Sequence, residues 1–284
     1  MTTIRTVANL ELRDGRTVRY YDTGQRDDQR LVVFWHHGTP NIGTPPEPLF
    51  PISERLGIRW LSLDRPGYGD STPVPGRSVG SVADDVARVA DALDIDAFAV
   101  MGHSGGSSHA LACAARLPDR VTAVVSMSAL APYGSSGLDW FAGMYPGGEA
   151  GLRTATEGRD AKERYEATAE YDPEMFTPED HASLNGAWSW LNSVVEPALE
   201  SGPGGLIDDD LAYVTPWDAD PATIAVPTLI VHGGHDRIVP SAHGEWLASR
   251  IPGAELWLVP EAGHLSVLDT GERALAWLQQ HTSR

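Results

Sequence analysis

A serine with glycines two positions away on either side, Gly102-His103-Ser104-Gly105-Gly106, follows the apolar run Phe98 to Gly102 and opens a stretch that reads as a helix. A sharp strand-to-helix turn of this kind exposes the hydroxyl. Its glycines let the two backbones approach closely, and the helix N-terminus favours negative charge beside the serine. A hydroxyl attacks near neutral pH only with a base, and the base needs an acceptor that holds its tautomer and its positive charge. Both residue types come later in the chain: Asp236 follows the apolar run Thr228 to Gly233, and His264 follows Glu255 to Val259. The order serine, acid, histidine sets each residue just past a strand C-terminus, where wound sheets collect their sites. The chemistry this implies is attack on a carbonyl, with Ser104 as nucleophile, His264 as base and Asp236 as the partner of the base.

Other residues compete for these roles, since the chain has 10 histidines. His235, next to Asp236, is the rival base, and His264 is preferred for its position after the last strand. His36, His232 and His243 read as structural, and His109 as a core histidine. His103, between Gly102 and Ser104, reads as a pocket residue. Rival acids are Glu261 and the run Asp208, Asp209 and Asp210, which reads as a solvated acidic face. Cys113 lies nine residues beyond Ser104, a turn of ~180° on an ideal helix, and reads as a small buried hydrophobe.

The elements that must position these residues follow from the apolar pattern. Thr6 to Glu11 and Arg16 to Thr23 bracket the turn Asp14-Gly15 and predict a hairpin. Short apolar runs at Leu31 to His36, Trp60 to Asp64, Phe98 to Gly102, Val121 to Met127, Thr228 to Gly233 and Glu255 to Val259 suit parallel strands buried on both faces. Helical stretches at Ser81 to Leu93, Gly105 to Leu117, Ser241 to Arg250 and Asp269 to Gln280 alternate with them. The fold class is therefore α/β: a mostly parallel wound sheet with an N-terminal antiparallel hairpin and helices on both faces. Between Met127 and Thr228 the alternation stops for longer than a plain loop allows, which predicts an inserted helical unit at 132–218 between core segments 1–131 and 219–284. Within it, Thr177-Pro178-Glu179-Asp180 is a helix start, and Leu184, Ala187, Trp188, Leu191 and Val195 form one apolar stripe. Glycine and proline punctuation predicts several short helices there, without a second core.

With these motifs in place the chain resembles the α/β-hydrolase superfamily, in its serine-nucleophile branch with a helical cap. The resemblance rests on the elbow, Asp236 and His264, together with His37-Gly38-Thr39-Pro40 and Asp64-Arg65-Pro66-Gly67-Tyr68-Gly69-Asp70-Ser71 after successive strands. It implies an oxyanion hole made by the backbone N–H groups of Thr39 and Gly105, since Pro40 has none to give. The second of these loops reads as a shaped turn at a strand end. Serine at the elbow sets the chain apart from the aspartate-bearing dehalogenases and epoxide hydrolases. Thr39 and Gly105 set it apart from the usual proline iminopeptidase pattern. What remains is hydrolysis of a carboxylic ester, lactone or thioester of a small to medium apolar substrate through an acyl-enzyme. Two alternatives stay open: carbon–carbon bond hydrolysis with the same triad, and ligand binding with little turnover. His103, Trp140, Trp188 and Trp190 are the candidate pocket residues.

Composition narrows the partners. With 21 basic against 39 acidic residues the formal charge is −18, which opposes nucleic acid and anionic membranes. A single cysteine excludes an internal disulfide and multi-cysteine metal sites, and the chemistry calls for no cofactor or metal. The N-terminal residues lack the apolar core of a signal peptide, so the expectation is a cytoplasmic enzyme of a small ester-like molecule, its oligomeric state open. The segment 132–218 holds 4 basic and 17 acidic residues. Those acids either keep the cap soluble or, at its entrance, disfavour anionic substrates.

Overall fold

The computed structural model describes residues 2–24 and 30–282, so Met1, residues 25–29 and the last two positions lie outside it. Among the described residues eight strands form one sheet in the order β1-β2-β4-β3-β5-β6-β7-β8. β1 (Thr6–Glu11) and β2 (Thr17–Asp22) are the expected hairpin, in register from Thr6 opposite Asp22 to Glu11 opposite Thr17. β2 also runs antiparallel to β4 (Ile58–Leu63). From β4 onward the order continues through β3 (Leu31–His36), β5 (Phe98–His103), β6 (Val121–Met127), β7 (Thr228–Gly233) and β8 (Glu255–Val259), all parallel. β4, β5 and β7 are buried along their whole length, as strands covered on both faces must be. β8 is the exposed edge.

Helices cover both faces. α2 (Val82–Ala92), α3 (Gly105–Arg116) and α9 (Ser241–Arg250) pack with Phe34 and Val100 on one side of the sheet. α1 (Phe50–Leu56) and α10 (Gly271–Thr282) pack with Val33, Trp60 and Met101 on the other. The C-terminal helix starts two residues later than its pattern predicts, because Ser266–Thr270 forms a 3₁₀ turn ahead of it. None of the described helices is long and apolar enough to cross a membrane.

Five short helices fill the interval between β6 and β7: α4 (Pro146–Thr156), α5 (Arg159–Glu166), α6 (Pro178–Asn185), α7 (Leu191–Leu199) and α8 (Gly204–Tyr213). Their apolar side chains join the two layers of the core: Trp140, Phe141, Tyr213 and Trp217 on one side, Trp188, Leu191 and Val194 on the other. α6 begins where the sequence places it. Thr177 Oγ1 accepts from the Asp180 N–H at 3.2 Å, and Asp180 accepts from the Thr177 N–H at 3.1 Å. The single stripe read from Leu184 to Val195 is broken, however. The helix stops at Gly186, and Ser183 O accepts from both Gly186 N and Trp188 N, so the chain turns before α7 begins. The break separates the stripe: Trp188 is buried in the core, while Leu184, Leu191 and Val195 face a cavity.

Candidate active site

Ser104 sits between β5 and α3 with φ 56° and ψ −134°, a conformation that costs a non-glycine residue energy and is held by its surroundings. The Ser104 N–H donates to Met127 O at 2.8 Å. The flanking glycines are needed for space. A Cβ on Gly106 would lie 2.1 Å from His36 O, and one on Gly102 would lie 2.6 Å from Gly106 O. The chain can make this turn only if both positions lack side chains.

The downstream residues converge on that hydroxyl. His264 Nε2 is 2.9 Å from Ser104 Oγ, and His264 Nδ1 is 2.8 Å from Asp236 Oδ2. Asp236 is fixed in turn through its other oxygen, which accepts from the N–H groups of Ile238 at 2.9 Å and Val239 at 2.8 Å. Burial alone would raise the pKa of Asp236, but His264 and His232 beside it outweigh that and hold it far below the carboxylate range. For His264 burial acts downward, and the charge and hydrogen bond of Asp236 more than reverse it, so its pKa is raised above the ordinary value. His235 and Glu261, the rival base and acid, are both exposed.

A residue that the motif reading left as a helix cap also holds the loop of His264. Asp180, buried on α6, accepts from the N–H groups of His264 (3.1 Å), Leu265 (2.8 Å) and Ser266 (2.8 Å) and from Ser266 Oγ (2.9 Å). It ties the loop carrying His264 to the helices between β6 and β7. His103 braces the same loop. Its Nε2–H donates to His264 O at 2.8 Å, and burial followed by the neighbouring His264 pushes its pKa down to about 3, so it is neutral.

The backbone N–H groups of Thr39 and Gly105 donate to no described acceptor. The loop presenting Thr39 is clamped by Arg65, which donates to the carbonyls of His37 and Gly38 and to Thr39 Oγ1. Arg65 pairs with Asp209 of α8 at 2.6 Å, and Asp209 also accepts from Arg77 (2.6 Å), Tyr68 (2.8 Å) and Thr39 Oγ1 (2.5 Å). Thr39 thereby spends its one proton on Asp209, so the Tyr213 hydroxyl, 2.8 Å away, donates to Thr39. Asp208, Asp209 and Asp210 are thus no solvated face. The three pair with Arg159, with Arg65 and Arg77, and with Lys162, and all face inward because cations wait there. None of them touches the cavity at Ser104.

That cavity, of about 580 Å³, opens over Ser104 and His264. The strand-end loops supply Gly38 to Asn41, His103, Ile238 and Leu265. The helical interval supplies Tyr171, Met175, Phe176, Leu184, Leu191, Asn192, Val195, Glu196 and Leu199. Of the four pocket residues expected from sequence, His103 lines it and the three tryptophans do not. Trp140 donates to Ala131 O at 2.7 Å and stacks edge-on with Phe141 and His243. Trp188 is buried in the core, and Trp190 packs against its margin. Their indoles dock the helices onto the sheet, and the aromatic wall is built by Phe176 and Tyr171. Cys113 is fully buried among apolar neighbours, which pushes its thiol pKa up.

A wound sheet with an elbow serine, an acid after β7 and a histidine after β8 defines a class, and the chain belongs to the alpha/beta hydrolase fold family, whose model matches residues 32–270. Similar proteins include a 2-hydroxy-6-oxononadienedioate/2-hydroxy-6-oxononatrienedioate hydrolase of Escherichia coli K12, 30% identical over 88% of this chain and 86% of that one. A non-heme chloroperoxidase of Kitasatospora aureofaciens is 28% identical over 92% and 93%. A bifunctional esterase/perhydrolase of Acinetobacter calcoaceticus is 37% identical over 42% and 44%. In fold, the chain resembles the crystal structure of a hydrolase from Pseudomonas aeruginosa PA01, with a TM-score of 0.73 at 23% identity over 97% and 99% of the two chains.

Proposed function

We propose that the protein is a serine hydrolase that cleaves a carboxylic ester, lactone or thioester of a small to medium apolar substrate, with residues 132–218 as its cap. The observation that carries this reading is the unbroken relay from Asp236 through His264 to Ser104 beneath a largely apolar cavity. Ser104 Oγ attacks the carbonyl carbon while His264 Nε2 takes its proton, and Asp236 stabilises the imidazolium. The negative charge on the carbonyl oxygen is met by the free N–H groups of Thr39 and Gly105. His264 then gives its proton to the departing alcohol or thiol, leaving an acyl-Ser104 ester. A water that His264 deprotonates attacks this ester, releasing the acid and restoring Ser104.

Carbon–carbon cleavage next to a ketone would use the same groups, and the E. coli relative carries the name of such a hydrolase. A dienedioate has two carboxylates. The residues lining this cavity include no lysine or arginine, and the carboxylate at its rim, Glu196, has the same sign as such a substrate. Neutral esters fit that lining better. A panel of aryl esters and vinylogous diketones, with labelling by a fluorophosphonate, tests the reading. Ester turnover and adduct formation at Ser104, both lost in Ser104→Ala, are expected. Undiminished ester turnover in that variant would sink the mechanism, and turnover of the diketones alone would move the assignment to carbon–carbon cleavage.

A further inference from the structure

The loop that presents Thr39 carries a second polar group with no stated task. Asn41 is 7% exposed and lines the cavity, yet its side-chain amide makes no hydrogen bond to any described residue. Its polar atoms are open to the cavity and not sealed in the core, so the amide is free to meet a ligand there. A Cβ built on Gly38 would lie 3.7 Å from both Asn41 Nδ2 and Ser104 Cβ, so amide and nucleophile flank the same space. The backbone beside it is fixed: the adjoining Ile42 N–H donates to Val194 O of α7 at 2.9 Å. Further from Ser104 the lining is apolar, with Met175, Phe176, Leu184 and Leu191.

The geometry points to Asn41 as a specificity-determining residue that hydrogen-bonds a neutral oxygen substituent, hydroxy or keto, on the carbon beside the scissile carbonyl. The inference rests on the hydrolase reading and names its substrate class: esters or lactones of 2-hydroxy or 2-oxo acids with an apolar remainder. Three features set the terms. The carbonyl oxygen is already served by the Thr39 and Gly105 amides, which leaves Asn41 for a neighbouring group. That group is placed on the acyl side, beside the carbonyl that Ser104 attacks, because Asn41 and Ser104 both adjoin Gly38. An amide both donates and accepts but carries no charge, which suits a hydroxyl or ketone. A carboxylate in that position would be desolvated with no cation in the lining to meet it.

The test compares aryl esters of butyric, 2-hydroxybutyric and 2-oxobutyric acid with one leaving group, each kcat/KM divided by the rate of the same ester with hydroxide. Wild type should prefer an oxygen-bearing ester by about 10-fold or more, the scale of a hydrogen bond formed in a dry site. In Asn41→Leu the preference should collapse toward one. A wild-type ratio near one overturns the inference with no variant needed, and so does a preference that survives Asn41→Leu. Loss of all ester turnover in Ser104→Ala, measured alongside, separates these outcomes from failure of the hydrolase reading itself.

Discussion

Asp209→Asn keeps the shape of a side chain and removes a charge on which the packing of α8 against the strand-end loops depends. The Asp209 side chain is fully buried, and Arg65 and Arg77, each 2.6 Å from it, are 1% exposed. Taking away one member of a buried ion pair leaves the other desolvated and unpaired, which costs about 3–5 kcal/mol. Here two guanidiniums lose one shared anion, and the whole folded state is worth only about 5–15 kcal/mol. At about 2–4 °C per kcal/mol for a chain of this size class, the melting temperature should fall by about 10 °C. Differential scanning calorimetry at neutral pH measures it, with Asp218→Asn as control. Asp218 is 70% exposed beside Arg116, and its loss should move the midpoint by less than about 2 °C. The pH dependence has a definite sign. Burial works to raise the pKa of Asp209, Arg65 and Arg77 overcome it, and the folded value lies well below the unfolded one. The stabilisation is therefore complete above the unfolded carboxylate pKa of about 3.9 and is lost as pH falls through the lower folded value. The gap between wild type and Asp209→Asn should persist down to about pH 4 and narrow only below it. If the variant melts within 2 °C of the control at neutral pH, on the scale of ~2–4 °C per kcal/mol, the cluster is not an ion pair that the fold depends on.

Three further outcomes follow from the same contacts. His264 acts as a base only when neutral and its pKa is raised, so kcat/KM for a neutral ester should rise with pH through a limb centred above about 6.5. Asp236→Asn should move that limb to lower pH and cut kcat by about three to four orders of magnitude, and a pH-rate profile reads both. Asp180→Asn strands N–H groups on the His264 loop, so kcat should drop by about 10–100-fold with KM little changed; equal kcat values in steady-state assays would remove Asp180 from the positioning of the base. The Cys113 thiol, buried and with its pKa pushed up, should ignore a disulfide exchange reagent in the folded protein and react after denaturation.

The legible part of this protein is the part set by local pattern. The runs at Thr6 and Thr17 give a hairpin, β1 alternating in burial along its length, and the continuous apolar runs give parallel strands because both faces are covered. The meeting of Ser104, Asp236 and His264 was readable because each occupies a fixed place after a strand, where neighbours along the chain decide the geometry. Depth within the interval between β6 and β7 was not readable. Trp140, Trp188 and Trp190 have the right type for a pocket, but whether an indole faces ligand or core is a tertiary matter: for Trp188 and Trp190 it depends on where Gly186 turns the chain, and for Trp140 on Ala131 and His243. Asp209 was missed for the same reason. A run of three aspartates reads as solvated until Arg65 and Arg77, more than a hundred residues earlier, are seen to meet one of them.

That misreading changes how the site is understood. Of the 39 acidic residues in the chain, two from the helices between β6 and β7 lie at its two functional ends. Asp180 accepts the N–H groups of the loop that carries His264, and Asp209 clamps Arg65, which holds the carbonyls of His37 and Gly38 beside Thr39. Each carboxylate takes several hydrogen bonds in a dry setting, where leaving any one unmade is costly, so each contact resists opening. The elements best able to move without breaking either are those that line the cavity between the two anchors, Tyr171 to Phe176 and α7, which meet the core through apolar side chains and isolated bonds such as Ile42 N–H to Val194 O and Arg237 to Glu174 O. The negative charge that marks this interval in the sequence thus serves in part as internal fastening. Its surplus on the surface is smaller than the count of aspartates and glutamates implies.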